Sequence, residues 1–423
     1  MTALKKVWAS LKNEDIRKRI TYTLFMLIVF RLLAAITTPG IPRDALQQLF
    51  GEGSFGDLMT AVSGAAFENA SIVAIGLGPY INASVILQML GSIIPKLEEL
   101  QQEGERGRKI INQYTRLLAI PLSILQSFVI YSILRSQNLV TALNPVELVT
   151  MIATMTAGSL LLVWMGELIQ ENGIGNGTSI IIFAGIMASL PGSIAKNFGV
   201  VNPNQLLLVG IGALLVVAGI IAVTEAERRI KVQYAKRVRG KKMTGGGESH
   251  IPLKINTAGV MPVIFAVSLL SFPQIIARFF LVAESEKIRM IAEKVVTFLD
   301  SSNPYYLVLY FLFIVAFAFF YTFVVFKPED VADNLKKSGG FIPGIRPGKQ
   351  TSEYLFGVLL RLTGVGALFL ATIAILPLLV ERFTEISSLA IGGTGLLIVI
   401  SVILDVLRQI ESMSATRSYE KYG

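Results

Sequence analysis

The stretch AIGLGPYINASVILQMLGSIIPKLEE (residues 74–99) runs apolar for about the thickness of a membrane, yet it opens on Gly76, Gly78 and Pro79 and carries Tyr80, Asn82 and Gln88. A plain membrane anchor has no use for Gly-Leu-Gly-Pro at that depth. Non-helical backbone inside hydrocarbon leaves N–H and C=O groups that lipid cannot satisfy, so it survives only where protein buries it or where it lines a cavity. The interruption therefore predicts a helix that faces a cavity.

The residues just upstream, GSFGDLMTAVSGAAFENAS (53–71), are too short and too polar to span. Leu58, Met59, Val62, Ala65, Ala66 and Phe67 form one side of a short amphipathic helix, and Ser63 and Gly64 permit close packing. The expectation is a half-helix re-entering the membrane, followed by a full helix from about Ser71. Leu77 and Ile81 are four apart and share a face of that helix. Narrow apolar constrictions gate by dewetting, so a short helix beside an aliphatic pair reads as a seal.

The rest of the chain supports a membrane setting. Of 423 residues, 53% are hydrophobic, more than a soluble protein of this length can hide. The apolar residues fall in blocks near the ~20 residues needed to cross a bilayer. Ten spans are expected: 20–38, 70–92, 112–134, 146–168, 177–195, 205–224, 257–280, 304–326, 355–379 and 389–407. LLLVGIGALLVVAGIIAV (206–223) shows no polar alternation, which argues for helices over a barrel. The fold class expected is thus an all-α polytopic membrane protein. Lys5, Lys6, Lys12, Arg17, Lys18 and Arg19 precede the first span without a recognisable cleavage site, the pattern of an anchor and not of a removable signal.

Charge gives the orientation. With alternating spans, 28 Lys and Arg fall on the side of the N-terminus and eight on the other: Arg43, Arg135, Lys196, Arg278, Lys287, Arg289, Lys294 and Arg382. The bias places both termini in the cytoplasm. Residues 225–255 hold nine bases against three acids, with Gly at 245–247. That is more charge than topology needs, and it predicts a structured basic projection with a flexible tip that docks an acidic or polyanionic partner. The loop GGFIPGIRPGKQT (339–351) lacks the spacing of a phosphate loop, since Pro343 lies five before Gly348 and Gln350 follows Lys349. Its two Pro-Gly pairs predict a stiff turn presenting Arg346. GIGNG (173–177) is too short for a dinucleotide fingerprint and reads as a tight turn into the next span.

Other chemistries are excluded by what is missing. There is no cysteine, hence no disulfide or thiolate metal site. His250 is the only histidine and lies in a polar loop, which removes Ser-His and zinc hydrolysis within the bilayer. No acid occupies a clear midspan position, and Glu167 and Asp405 sit at span ends. That weakens the alternative of a small-solute secondary transporter, which keeps ionisable groups near the midplane. Arg31, about twelve residues into its helix, is expected to be structurally paired.

Five motifs then carry a family resemblance. ASIVAIGLGPYINASVILQ (70–88), NGIGNGTSIIIFAGI (172–186), LKINTAGVMPVIFA (253–266), SGGFIPGIRPGKQT (338–351) and GGTGLLIVISVILD (392–405) resemble the SecY family, the channel-forming subunit of the bacterial protein-export translocon. The likeness covers essentially the whole chain in order. It implies ten helices in two pseudo-symmetric five-helix halves, 1–195 and 196–423, around an hourglass pore. The implied pore ring is Leu77, Ile81, Thr178, Ile182, Ile264 and Ile398. The implied plug is about 54–68, with Phe55, Leu58, Met59, Val62 and Phe67. The lateral gate lies between spans two and three and spans seven and eight, with Gln88 and Phe272.

The implied docking residues are Arg237, Arg239, Lys241, Lys242, Arg346 and Lys349. The partners implied are SecE-like and SecG-like small membrane subunits, a SecA motor ATPase, the ribosome, signal peptides, unfolded secretory chains and membrane lipid, at the bacterial inner membrane. The resemblance implies neither a cofactor nor an enzymatic reaction. Two positions depart from the family pattern. Thr178 stands where an aliphatic residue is expected, and its hydroxyl either brings in water or bonds back to a helix carbonyl. Lys241 and Lys242 stand where an Arg pair is common, keeping charge but losing the bidentate fork.

Overall fold

The computed structural model describes residues 13–42, 70–91, 93–136, 139–140, 143–197, 203–234, 237–239, 242–244, 247–281, 285–300, 303–384 and 392–420. The described elements begin with α1 (Glu14–Ala35), α2 (Gly78–Gly91), α3 (Pro95–Gln102), α4 (Glu105–Ser136), α5 (Pro145–Asn172), α6 (Gly177–Asn197) and α7 (Pro203–Glu225). Four strands follow: β1 (Glu227–Tyr234), β2 (Arg237–Arg239), β3 (Lys242–Thr244) and β4 (Glu248–Lys254). Then come α8 (Met261–Phe280), α9 (Glu286–Phe298), α10 (Pro304–Val325), α11 (Pro328–Lys337), β5 (Gly340–Phe341), α12 (Lys349–Thr384) and α13 (Gly392–Glu420).

Each of the ten expected spans overlaps a described helix, the second only over Gly78–Gly91. Among the described residues, five helical stretches are long and apolar enough by themselves to cross a membrane: Glu105–Arg135, Pro145–Asn172, Met261–Phe280, Pro304–Lys337 and Lys349–Leu376. Hydroxyls inside these helices donate back to carbonyls one turn earlier. Ser127 bonds Ser123 at 2.7 Å, Thr154 bonds Thr150 at 2.7 Å and Thr322 bonds Ala318 at 2.7 Å, so these three hydroxyls enter apolar helices with their donors satisfied. Arg31 departs from expectation: it is exposed on α1 and makes no ion pair among the described residues.

The helix expected from Ser71 begins seven residues later, at Gly78. Residues 72–77 are turns, with Gly76 at φ +64°, a conformation that glycine adopts at little cost. Pro79 then occupies the first turn of α2, where its missing N–H is not needed. The half-helix expected over 53–71 lies outside the described residues, apart from its last two positions.

The chain forms two compact units. The first comprises 1–206, 267–308 and 377–423. Its core packs Ala70, Ala74 and Ile75 against Val129, Ile130 and Leu134 of α4, Met151 and Met155 of α5, and Ile275 of α8. Helices approach closely at glycines. A Cβ on Gly177 would overlap the Gly166 carbonyl, and a Cβ on Gly158 would overlap the Ile72 carbonyl. Small residues at crossings are how helices associate where lipid supplies no hydrophobic drive. Arg116 of α4 pairs with Glu167 of α5 at 2.8 Å.

The second unit comprises 207–266 and 309–376. The basic loop forms a β-hairpin here, and β1 pairs antiparallel with both β4 and β5, giving sheet order β4-β1-β5. Ile230 and Val232 are buried while Arg229 before them and Lys231 between them are exposed. This period-two alternation, Arg-Ile-Lys-Val-Gln-Tyr, is the strand signal in the sequence. The buried side packs on Leu253, Leu335, Ile342, Leu355 and Val358.

The glycine contacts yield a test. A methyl at Gly158 meets backbone, which cannot swing aside. Gly158→Ala is expected to cost about 3 kcal/mol, the upper end of overpacking penalties, and to lower the thermal unfolding midpoint in detergent. Gly357 of α12 has open space around its Cα, so Gly357→Ala is expected to leave the midpoint unchanged or raise it.

Candidate functional site

The site is built around residues 70–81. Three devices satisfy the broken backbone. First, it pairs with the residues after α1: Thr38 N–H donates to Ala70 O at 2.8 Å and Ile72 N–H donates to Ile36 O at 2.9 Å. Second, it makes its own turns, with Ala74 N–H to Ser71 O and Gly76 N–H to Val73 O, each at 2.9 Å. Third, the buried Ser159 hydroxyl of α5 donates to Gly76 O at 2.9 Å. Ala70 is held at φ +48°, an unusual position for a residue with a Cβ. All of 73–79 is buried. The Gly-Leu-Gly-Pro break is therefore sealed inside protein, as lipid requires.

Leu77 caps the start of α2, and its carbonyl accepts Ile81 N–H at 2.9 Å. That bond sets Leu77 and Ile81 one turn apart. Leu77, Ile81, Ile182 and Ile398 lie in the first unit and are buried, Leu77 to 1% exposure. Their helices are joined in series. The break that leads into α2 meets α5 through Gly76 and Ser159, and α5 meets α6 through Gly166 and Gly177. α6 meets α13 where a Cβ on Gly395 would sit 3.1 Å from Ile186 Cγ2. Ile182 is one turn before Ile186, and Ile398 one turn after Gly395. Ile264 is buried in α8 within the second unit.

Thr178 does not bond back to a helix carbonyl. Its hydroxyl donates to Asn176 Oδ1 at 2.6 Å. The same oxygen accepts Ser179 N–H at 3.3 Å, so Asn176 is the N-cap of α6 and Thr178 completes the cap. The reason is local: Thr178 stands in the first turn of α6, where no helix carbonyl lies one turn behind it.

The turn that delivers the chain into α6 is held from two sides. Arg19 of α1 donates to Gly173 O at 3.2 Å, and Thr23 Oγ1 accepts Ile174 N–H at 3.1 Å. Gln409 Oε1 of α13 accepts Gly175 N–H. Beneath them Ile16, Ile174 and Ile410 form a small buried cluster. The sequence marks Arg19 only as a charge before the first span and does not single out Ser159, Thr23 or Gln409. A faint signal exists for Ser159, because Gly158-Ser159 is a small pair inside an aliphatic run.

Gln88 and Phe272 lie half-buried on different helices, and Gln88 donates to Ser84 Oγ of its own helix at 3.3 Å. Phe55, Leu58, Met59, Val62, Phe67 and Lys241 lie outside the described residues. Arg237 and Arg239 fall on β2 and Lys242 on β3, with Arg239 paired in register with Lys242. Arg346 is exposed on a turn between Gly344 (φ +84°) and Gly348 (φ +101°). Thr351 Oγ1 donates to the Arg346 carbonyl at 2.9 Å, and Ile342 and Ile345 root the turn in the sheet's core. Lys349, exposed, opens α12.

A set of apolar helices enclosing a satisfied backbone break, with a basic sheet at the end of two of them, defines a multi-pass helical membrane protein. The family model described as SecY matches residues 71–407. The protein translocase subunit SecY of Thermus thermophilus is 40% identical over 432 residues, covering 99% of this chain and 97% of that protein. The corresponding protein of Halalkalibacterium halodurans is 42% identical, with 96% and 97% covered. The chain belongs to the SecY family.

Solved structures share the fold. A chain described as a protein conducting channel superposes with a TM-score of 0.63 at 17% identity, covering 95% of this chain and 93% of that one. A second, from work on the plug domain of the SecY protein, gives 0.65 at 16% identity with the same coverage.

The Ser159–Gly76 bond can be tested directly. Ser159→Ala leaves a buried carbonyl without its donor, at a cost of ~1–3 kcal/mol. A lowered unfolding midpoint in detergent is expected, with Ser159→Thr, which keeps the hydroxyl, closer to the parent.

Proposed function

We propose that this chain is the channel-forming subunit of a protein translocase, passing unfolded secretory polypeptides across the bacterial inner membrane and releasing apolar segments sideways into lipid. The observation that carries this reading is its kinship, over 99% of its length, with a protein translocase subunit. Both termini lie in the cytoplasm on this reading, where the positive charge concentrates. The halves 1–195 and 196–423 hinge between spans five and six.

The mechanism follows from what an indiscriminate pore must do. A secreted chain crosses without any fixed sequence being recognised. A collar of Leu77, Ile81, Ile182, Ile264 and Ile398, with Thr178 at its edge, offers few hydrogen bonds that favour one residue over another. It fits around an extended strand and dewets when empty. Residues 54–68 plug it at rest. An apolar segment in the pore gains ~0.8 kcal/mol per CH₂ on leaving for lipid, and an opening beside Gln88 and Phe272 lets it leave.

The chain holds no phosphate loop, so directional work comes from a SecA motor or a translating ribosome. These dock on the basic hairpin (Arg237, Arg239, Lys241, Lys242) and on the turn carrying Arg346 and Lys349. SecE-like and SecG-like subunits complete the assembly.

Two measurements test this reading. With a stalled secretory chain in reconstituted vesicles, photocrosslinkers at Ile81 and Ile264 are expected to capture it, and deletion of 56–66 is expected to raise resting ion conductance. No crosslink at either position would remove the pore assignment. For docking, Arg346→Lys is expected to preserve insertion and assembly but slow motor-driven translocation, because a lysine lacks the planar donors of the guanidinium. Arg346→Glu is expected to slow it further. Wild-type rates for Arg346→Lys under limiting motor would reduce Arg346 to a topological charge.

A further inference from the structure

α9 links two spans, α8 and α10, and its side chains sort by helical period into separate strips. Ala292 is buried, and the neighbouring Val295 and Val296 are half-buried. Beside this inner strip Ile288, Ile291 and Phe298 form an apolar flank that is 43%, 64% and 47% exposed. Lys287 and Lys294, seven apart, border that flank on its outer edge. Glu286 and Glu293, also seven apart, lie on the far side of the helix. Arg289 turns toward them and pairs with Glu293 at 3.9 Å. Lys287 and Lys294, which make no ion pair among the described residues, thus line the apolar flank, and Glu286 and Glu293 face away from it.

The flank also continues onto a membrane-facing surface. Gln274 of α8 donates to the Leu299 carbonyl at the end of α9. Asn303 donates to Thr297 O and accepts Tyr305 N–H, each at 3.1 Å, fixing the corner into α10. At that corner Phe298 stacks on Tyr305 with ring centroids 5.9 Å apart and planes at 19°. Tyr305 is 65% exposed and Val308, on the same face of α10, is 60% exposed. α10 is apolar throughout its length, so this exposed face has the composition of a lipid-facing surface. The apolar flank of α9 joins it through the aromatic stack, at the level where Tyr and Trp mark bilayer interfaces.

We propose that α9 is an interfacial anchor: Ile288, Ile291 and Phe298 enter the boundary between headgroups and acyl chains, and Lys287 and Lys294 bind the phosphates of anionic lipid. Amphipathic helices with this arrangement lie in the plane of the interface, and lysines snorkel to the headgroups over a buried stem. The placement also gives a reason for bases on the sparsely charged side of the membrane. Of the eight there, Lys287, Arg289 and Lys294 are in this helix, two on the proposed lipid side and one paired with Glu293. The proposal rests on the membrane reading of α8 and α10, and not on the pore.

The chain has no cysteine, so single labels are clean. Ile291→Cys and Glu293→Cys, each carrying the fluorophore NBD, are compared in the assembled complex in nanodiscs of phosphatidylethanolamine and phosphatidylglycerol. Both sites are exposed, so neither label disturbs the core. The label at 291 is expected to be blue-shifted and quenched severalfold more by lipids doxyl-labelled near the headgroup than the label at 293, which aqueous iodide quenches instead. Adding Lys287→Gln and Lys294→Gln, or replacing phosphatidylglycerol by phosphatidylcholine, is expected to weaken the lipid quenching at 291. Equal iodide quenching at both sites would place the flank in water and overturn the proposal. A blue-shifted label at 291 without lipid quenching would show a protein covering it, which also overturns it. Lipid quenching unaffected by the lysine changes and by the lipid swap would remove the phosphate contacts.

Discussion

Hydrocarbon offers no hydrogen-bond partner, and everything around residues 70–79 answers that constraint. The break in the second span exposes backbone polar groups that a regular helix would have paired. One edge of the break is taken by residues 36–38, its turns close on themselves, and the remaining Gly76 carbonyl takes the Ser159 hydroxyl. This last bond fixes where α5 must lie, and Gly158 beside it lets the helix come close enough. Once α5 is placed, Gly166 and Gly177 place α6, and Gly395 places α13 against it.

The same logic explains what was legible in the sequence and what was not. Gly76, Gly78 and Pro79 announce a break, because each has a backbone preference that outweighs context. α2 starts seven residues after the apolar run suggests, because Ile72, Val73, Ala74 and Ile75 continue the apolar run without being helical. Hydrophobicity reports burial, and here the burial is of turns. Ser159 carried almost no signal: a serine in an apolar helix usually bonds its own backbone, and only the fold shows it reaching another segment. Thr178 illustrates the reverse. Its departure from an aliphatic pattern was visible, but its partner depended on the helix beginning at Gly177.

The basic loop shows a third kind of legibility. Charge alone marks it as a surface, while the alternation of Arg229 to Tyr234 marks it as a strand. The pairing of β1 with β5 lies beyond either signal, because Gly340 and Phe341 are about a hundred residues away and too few to read as a strand. Topological charge counting and strand periodicity describe the two loops separately.

The central position of β1 has a mechanical consequence. β1 is bonded to β4 on one edge and β5 on the other, and Ile342 and Ile345 root the Arg346 turn in the same core. The two loops therefore form one stiff plate and not two independent arms. Because β1 follows α7 directly and β4 leads toward α8, while the Arg346 turn leads into α12, force applied at any point on the plate is shared among the three helices. A load placed on the Arg346 turn thus bears on several spans at once, whereas β2 and β3 pair only with each other and stand outside the plate.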